Sequence, residues 1–181
     1  MRGTDSRVVN LSSLAHRFAA SIHFDDLNWQ HRYKAYSAYS QSKLAMLMFA
    51  FELQRRSDAQ AWGVLSLAAQ PGLAATALGS NGPRLGKHGK VSWLESFGSW
   101  LWSGLAQSPG DGALPTLFAA TSPDASKAGY YGPTGFMEFR GSVGEAKVAM
   151  YARDLAVAAK LWEVSESLTK VHWPTAPHGA T

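Results

Sequence analysis

Tyr39 and Lys43 stand four residues apart in AYSAYSQSKLA, a spacing that on a helix stacks the two side chains on one face and brings the ammonium toward the phenol. A cation beside a phenol favours the phenolate, drawing a pKa of about 10 toward neutrality and making Tyr39 a usable general acid or base. Ser12 and Ser13 close an apolar run, RVVNLSS. A hydroxyl there can hydrogen-bond a substrate oxygen, and a serine pair capping a turn is the alternative reading. Pro71 and Gly72 end a second apolar run, GVLSLAAQPG, where exposed backbone amide and carbonyl groups could hold a planar carboxamide. Ser13 as nucleophile with Lys43 as base would instead make an esterase or amidase. The chain has no GxSxG elbow, however, and that chemistry leaves Tyr39 without a role.

Other chemistries find less support. The six histidines, at 16, 23, 31, 88, 172 and 178, never fall three or four apart on a predicted helix and no carboxylate cluster joins them. No metal site is expected, and most of these histidines are expected to be solvated. The glycines at 79, 82, 86 and 89 follow no strand, and GPRLGKH is one residue short of a phosphate loop and lacks its Ser/Thr.

These residues need elements to hold them. The run Arg7–Ser12 reads as a strand buried on both faces. Residues 16–32 have neither helical nor alternating period and read as a loop. From Tyr36 to Gln54 the residues Tyr36, Tyr39, Leu44, Leu47, Met48, Phe51 and Leu53 predict a helix apolar around much of its girth. Gly63–Ala69 reads as a second buried strand, ended by Gln70-Pro71-Gly72. Ser108-Pro109 predicts a helix start, serine as N-cap and proline in the first turn, leading to about Ala120 with a kink at Pro115. Tyr130–Pro133 reads as a short last strand and turn. A final helix spans about 154–168, with Asp154 at its positive end. Strands separated by helices, with no hairpin signature, point to a parallel α/β arrangement.

The chain has 181 residues, 46% of them hydrophobic and 17% charged, the balance of one globular domain. Cysteine is absent, which excludes disulfides and thiolate chemistry and fits a reducing compartment. The N-terminus lacks the apolar stretch of a signal peptide, and a cytoplasmic protein is expected. The uncharged run 59–83 is interrupted by Gln60, Gln70, Pro71, Gly72, Asn81 and Gly82, so no transmembrane helix is expected. A net charge of +4 reads as a solvated surface rather than a nucleic-acid-binding one.

Taken in order, VVNLSS, AYSAYSQSKLA and AAQPGLAATAL resemble the short-chain dehydrogenase/reductase family. SSLAHR, FDDLNW, GALPTLFAATSP and YYGPTGFME are similar to its retinol-dehydrogenase-like branch, in its actinobacterial form, and the resemblance runs from about Arg7 to Val171. It implies that Ser13 orients a substrate carbonyl or hydroxyl, that Tyr39 is the acid/base, and that Lys43 binds the nicotinamide ribose while lowering the tyrosine pKa. Pro71, Gly72 and Leu73 would line the nicotinamide, with Thr76 near the cofactor phosphate or amide. The reaction implied is hydride transfer between NAD or NADP and an apolar alcohol or carbonyl compound. Trp93, Phe97 and Trp100, in the aromatic stretch 91–105, would form a substrate lid; a core or dimer-contact helix is the alternative, and a peripheral membrane role would add Arg84, Lys87 and Lys90.

The sequence also departs from that family. Its glycine-rich TGxxxGxG turn, the residue that selects NAD or NADP, the NNAG stretch and the catalytic asparagine of its fourth helix are all absent. The expected fold is therefore the C-terminal half of a Rossmann-type doubly wound parallel sheet, starting just before the fifth strand and lacking the N-terminal strands. One partial domain, 1–173, would contain a substrate loop at 79–107, with 174–181 a frayed tail. Such a half would be inactive or bind cofactor weakly alone, and its open sheet edge would be a solubility liability. A non-enzymatic half-domain, pairing through the helix 36–54 with a second copy or a separate N-terminal half, is the alternative from a different class.

Overall fold

The first β-branched run forms β1, Ser6–Leu11, and the second forms β2, Val64–Ala69. They pair in parallel from Ser6 opposite Val64 to Leu11 opposite Ala69. The computed structural model describes residues 6–73 and 107–174; Thr76, the glycine-rich stretch and the expected lid residues Trp93, Phe97 and Trp100 lie outside these. β3, Tyr130–Pro133, adds a second parallel partner to β2. β4, Val143–Glu145, then turns back antiparallel against β3. The sheet order is β1-β2-β3-β4. The expectation that Tyr130–Pro133 is the last strand is thus corrected: VGE is too short to show an alternating period, and only its ladder with β3 makes it a strand.

Three α-helices cover the sheet: α1, Ala35–Ala59; α2, Pro109–Thr121; and α3, Leu155–Thr169. Alternation along β2 divides the core between two faces. Leu67 and Ala69 point with Tyr131 toward Ala119 and Phe118 of α2. Ala68 and Tyr130 point toward Leu44, Leu47 and Met48 of α1 and Leu161 of α3. Helices on both faces of a mainly parallel sheet make this part of a Rossmann-type doubly wound fold. β1 is half-buried along most of its length, rather than buried on both faces as its composition suggests. Among the described residues no helix is long and apolar enough to cross a membrane.

Caps set the helix ends where the sequence signals them. Ser108 Oγ accepts from the Asp111 amide with Pro109 in the first turn, and Asp154 Oδ1 accepts from the Ala156 and Val157 amides. α2 continues through Pro115 to Thr121. α1 runs five residues past the predicted Gln54, because polar side chains on its inner face bind β2. Gln54 Oε1 accepts from the Ser66 amide at 2.7 Å, and Ser57 Oγ both donates to the Val64 carbonyl and accepts from its amide. Apolar periodicity cannot register such contacts. Residues Leu14–Phe18, which run into the predicted loop 16–32, form a short 3-10 turn capped by Ser13.

Candidate active site

The carboxyl ends of β1, β2 and β3 share one edge, the usual place for ligands in open α/β sheets. Ser12 and Ser13 leave β1 there, Gln70–Leu73 leave β2, and Thr134–Phe139 leave β3. The third turn of α1, which carries Lys43, lies beside the exit of β1. Ser12 Oγ donates to the Lys43 carbonyl at 2.8 Å, and the Lys43 ammonium donates to the Leu11 carbonyl at 3.3 Å. The same ammonium stands 5.6 Å from the centre of the Tyr39 ring, as the four-residue spacing predicts. Tyr39, Lys43 and Ser13 are all half-buried, so solvent or a ligand can reach them.

Ser13 Oγ accepts from the Ala15 amide. The capping role and the catalytic role are therefore compatible, since a hydroxyl that accepts from a backbone amide keeps its proton for donation. Lys43 Nζ donates to the Leu11 carbonyl and Ser13 Oγ accepts from the Ala15 amide, and no hydrogen bond joins the two side chains among the described residues.

The Pro71–Leu73 turn departs from expectation. Its two amides and two of its carbonyls are already paired inside the chain: Gln70 Oε1 accepts from the Gly72 amide, the Phe139 carbonyl from the Leu73 amide, and the Pro71 and Leu73 carbonyls from the side chain and amide of Gln107. The turn can line a flat ligand, but its Gly72 and Leu73 amides are committed to other partners. Gly72 has φ +64° and its α-carbon faces protein; a Cβ there would lie 2.4 Å from the Phe139 carbonyl oxygen and 2.7 Å from Pro133. Gly72→Ala is expected to destabilise the fold by about 2 kcal/mol, through left-handed backbone and steric overlap, read from a urea midpoint. Gln107, which braces this turn from 34 residues away in sequence, carries no sequence signal of its own.

Whereas His23, His31 and His172 are exposed, His16 is an exception to the expectation that most histidines are solvated. It is wholly buried, with Nδ1 bonded to the Ser13 carbonyl at 2.7 Å and Nε2 accepting from the Ala149 amide at 3.3 Å. Burial holds its pKa below the ordinary 6.5; the Ser13 bond opposes this and Arg17 adds to it. An unfolded chain protonates this imidazole near 6.5 while the native state resists. Stability is therefore expected to fall as pH drops below about 6.5, until the native pKa is passed. Urea titrations between pH 7.5 and 5 check the sign, and His16→Gln should flatten the slope.

Arg17 pairs with Glu138, whose carboxylate also accepts from the Lys147 amide. A cleft of about 190 Å³ opens beside them, lined by Arg17, Thr134, Met137, Glu138 and Lys147 but not by Tyr39, Lys43 or Ser13. Next to the site the Phe18 and Tyr36 rings lie 5.8 Å apart, both largely exposed.

No protein-family profile matches the chain. It is 40% identical over 172 residues to human retinol dehydrogenase 13, covering 94% of this chain and 47% of that protein. It is 32% identical over 171 residues to mouse polyprenol dehydrogenase, covering 92% and 45% respectively. A crystal structure of an uncharacterized protein from Mycobacterium Paratuberculosis superposes with a TM-score of 0.69 at 35% identity, over 93% of this chain and 52% of that one. The chain spans about half the length of the curated relatives it matches.

Proposed function

We propose that this chain, a relative of the retinol-dehydrogenase-like short-chain dehydrogenases/reductases over 94% of its length, carries the proton-transfer half of a nicotinamide-dependent alcohol/carbonyl oxidoreductase. The observation that supports this reading is that Ser13 and the Pro71–Gly72 turn follow the carboxyl ends of the paired strands β1 and β2, while Lys43, bonded to the Leu11 carbonyl at the end of β1, stands beside the Tyr39 ring. NAD or NADP, when bound, supplies the hydride acceptor or donor. Tyr39 moves the proton at its phenolic oxygen, and the Ser13 hydroxyl orients the reacting oxygen. Lys43 is the residue that would hold the nicotinamide ribose, and Pro71, Gly72 and Leu73 would line the ring face. The names of the relatives, retinol and polyprenol dehydrogenase, support an apolar alcohol as substrate.

The test is turnover by the protein purified from its own source, with its intact mass recorded against 19.5 kDa. Reduced nicotinamide is followed with a panel of apolar alcohols, and ester hydrolysis is run in parallel. Turnover that requires Tyr39 supports the proposal. Ester hydrolysis lost in Ser13→Ala and indifferent to Tyr39→Phe would replace it with a hydrolase. Neither activity would leave the half-domain that acts through helix pairing.

A further inference from the structure

Met137 and Glu138 are consecutive non-glycine residues in left-handed backbone, with φ 51° and 60°. Each is strained, and such strain persists only where surrounding contacts impose it. Here the contacts are specific. The Glu138 side chain, 9% exposed, receives Arg17 on one oxygen and the Lys147 amide on the other. Arg17 also donates to the Lys147 carbonyl at 3.1 Å. Fixing Glu138 this way aims the next carbonyl, that of Phe139, at the Leu73 amide, 2.7 Å away. On the other side, Arg17 sits in the same 3-10 turn as His16, which holds the Ser13 carbonyl.

We propose that the Arg17–Glu138 pair is a positioning device that sets the Ser13 loop against the Pro71–Leu73 turn. The path is continuous: Ser13 to His16, Arg17 to Glu138, then Phe139 to Leu73. Neither Arg17 nor Glu138 bonds Ser13 or Leu73 directly, so both act through their neighbours. The strained turn is the element that couples the two loops, and the ion pair keeps it in place. Placing the device at an active edge rests on the oxidoreductase reading above, whereas the coupling itself is a property of the chain.

The experiment is amide hydrogen exchange on the full chain, followed at Leu73. Arg17→Gln, which removes the charge and leaves a shorter polar side chain, is expected to accelerate Leu73 exchange about tenfold while the β2 and α1 amides keep their rates. Glu138→Gln should do the same, which guards against one variant failing to fold. Arg17→Lys, which retains the ion pair, should stay within about threefold of the parent. An unchanged Leu73 in Arg17→Gln overturns the proposal, as does uniform acceleration of all amides, which would make the pair merely structural. Where turnover is measurable, kcat in Arg17→Gln should fall more than KM rises. A responsive Leu73 in a protein without nicotinamide turnover leaves the coupling standing and removes the oxidoreductase reading. Tyr39-dependent turnover with an unresponsive Leu73 does the reverse.

Discussion

Replacing Tyr39 by phenylalanine is expected to lower nicotinamide-dependent turnover by about 10²–10⁴-fold, the usual contribution of a positioned acid or base. The substitution removes one oxygen and nothing else. The Tyr39 hydroxyl makes no hydrogen bond among the described residues, and the ring is only half-buried. The phenylalanine ring can keep its place over Lys43, whose ammonium remains bonded to the Leu11 carbonyl. Folding stability should therefore move by less than about 0.5 kcal/mol, as for ordinary surface changes. The measurement is the rate of nicotinamide absorbance change for both proteins, beside matched urea midpoints. Retention of full turnover in the phenylalanine variant would remove Tyr39 from the chemistry. A loss of turnover with equal midpoints would assign the effect to the proton.

Trp162→Ala is expected to cost about 3–5 kcal/mol, the range for emptying a buried aromatic site. Trp162 is 2% exposed and joins α3 to α1. Its ring stacks on Phe49 with centroids 5.2 Å apart and planes within 9°, and lies 5.5 Å from Trp173 and 6.4 Å from Trp62. The Arg56 guanidinium covers it at 4.6 Å, and that guanidinium is held by the buried carboxylate of Glu52, which also takes Arg55. Loss of the indole thus opens a cavity between three rings and unseats a cation. For a chain of this size the expected fall in Tm is about 10 °C. Trp162→Phe, which keeps a ring in the stack, should lose about 1–2 kcal/mol. A Trp162→Ala protein melting within about 2 °C of the parent would show that the α1–α3 contact contributes little to the fold.

Ionisation of Glu52 works in the same direction. Burial raises its pKa, but the hydrogen bonds from Arg55 and Arg56 more than offset this and leave it below the ordinary carboxylate value. The stability it contributes is present above the unfolded carboxylate range and lost as pH falls through the native value. Acid urea titrations should therefore show the His16 contribution below about 6.5 and, separately, the loss of the Glu52 contribution below the ordinary carboxylate value.

Local signals in the chain were sufficient for the elements that carry Ser13, Tyr39 and Lys43. A β-branched run ending in serines, an apolar-rich helix with tyrosine and lysine one turn apart, and an apolar run stopped by Pro-Gly depend on contacts within a few residues. The serine cap at 108 is equally local and readable, and so is the acidic start at Asp154, which the structure makes an N-cap. Tertiary structure decided what rests on distant partners. It closed the Leu73 amide with Phe139, brought Gln107 onto Pro71, set the buried His16 ring against the Ala149 amide, and turned Val143–Glu145 into an antiparallel edge strand. Each of these pairings joins polar groups ten or more residues apart, and no periodicity of apolar side chains encodes which buried donor meets which acceptor.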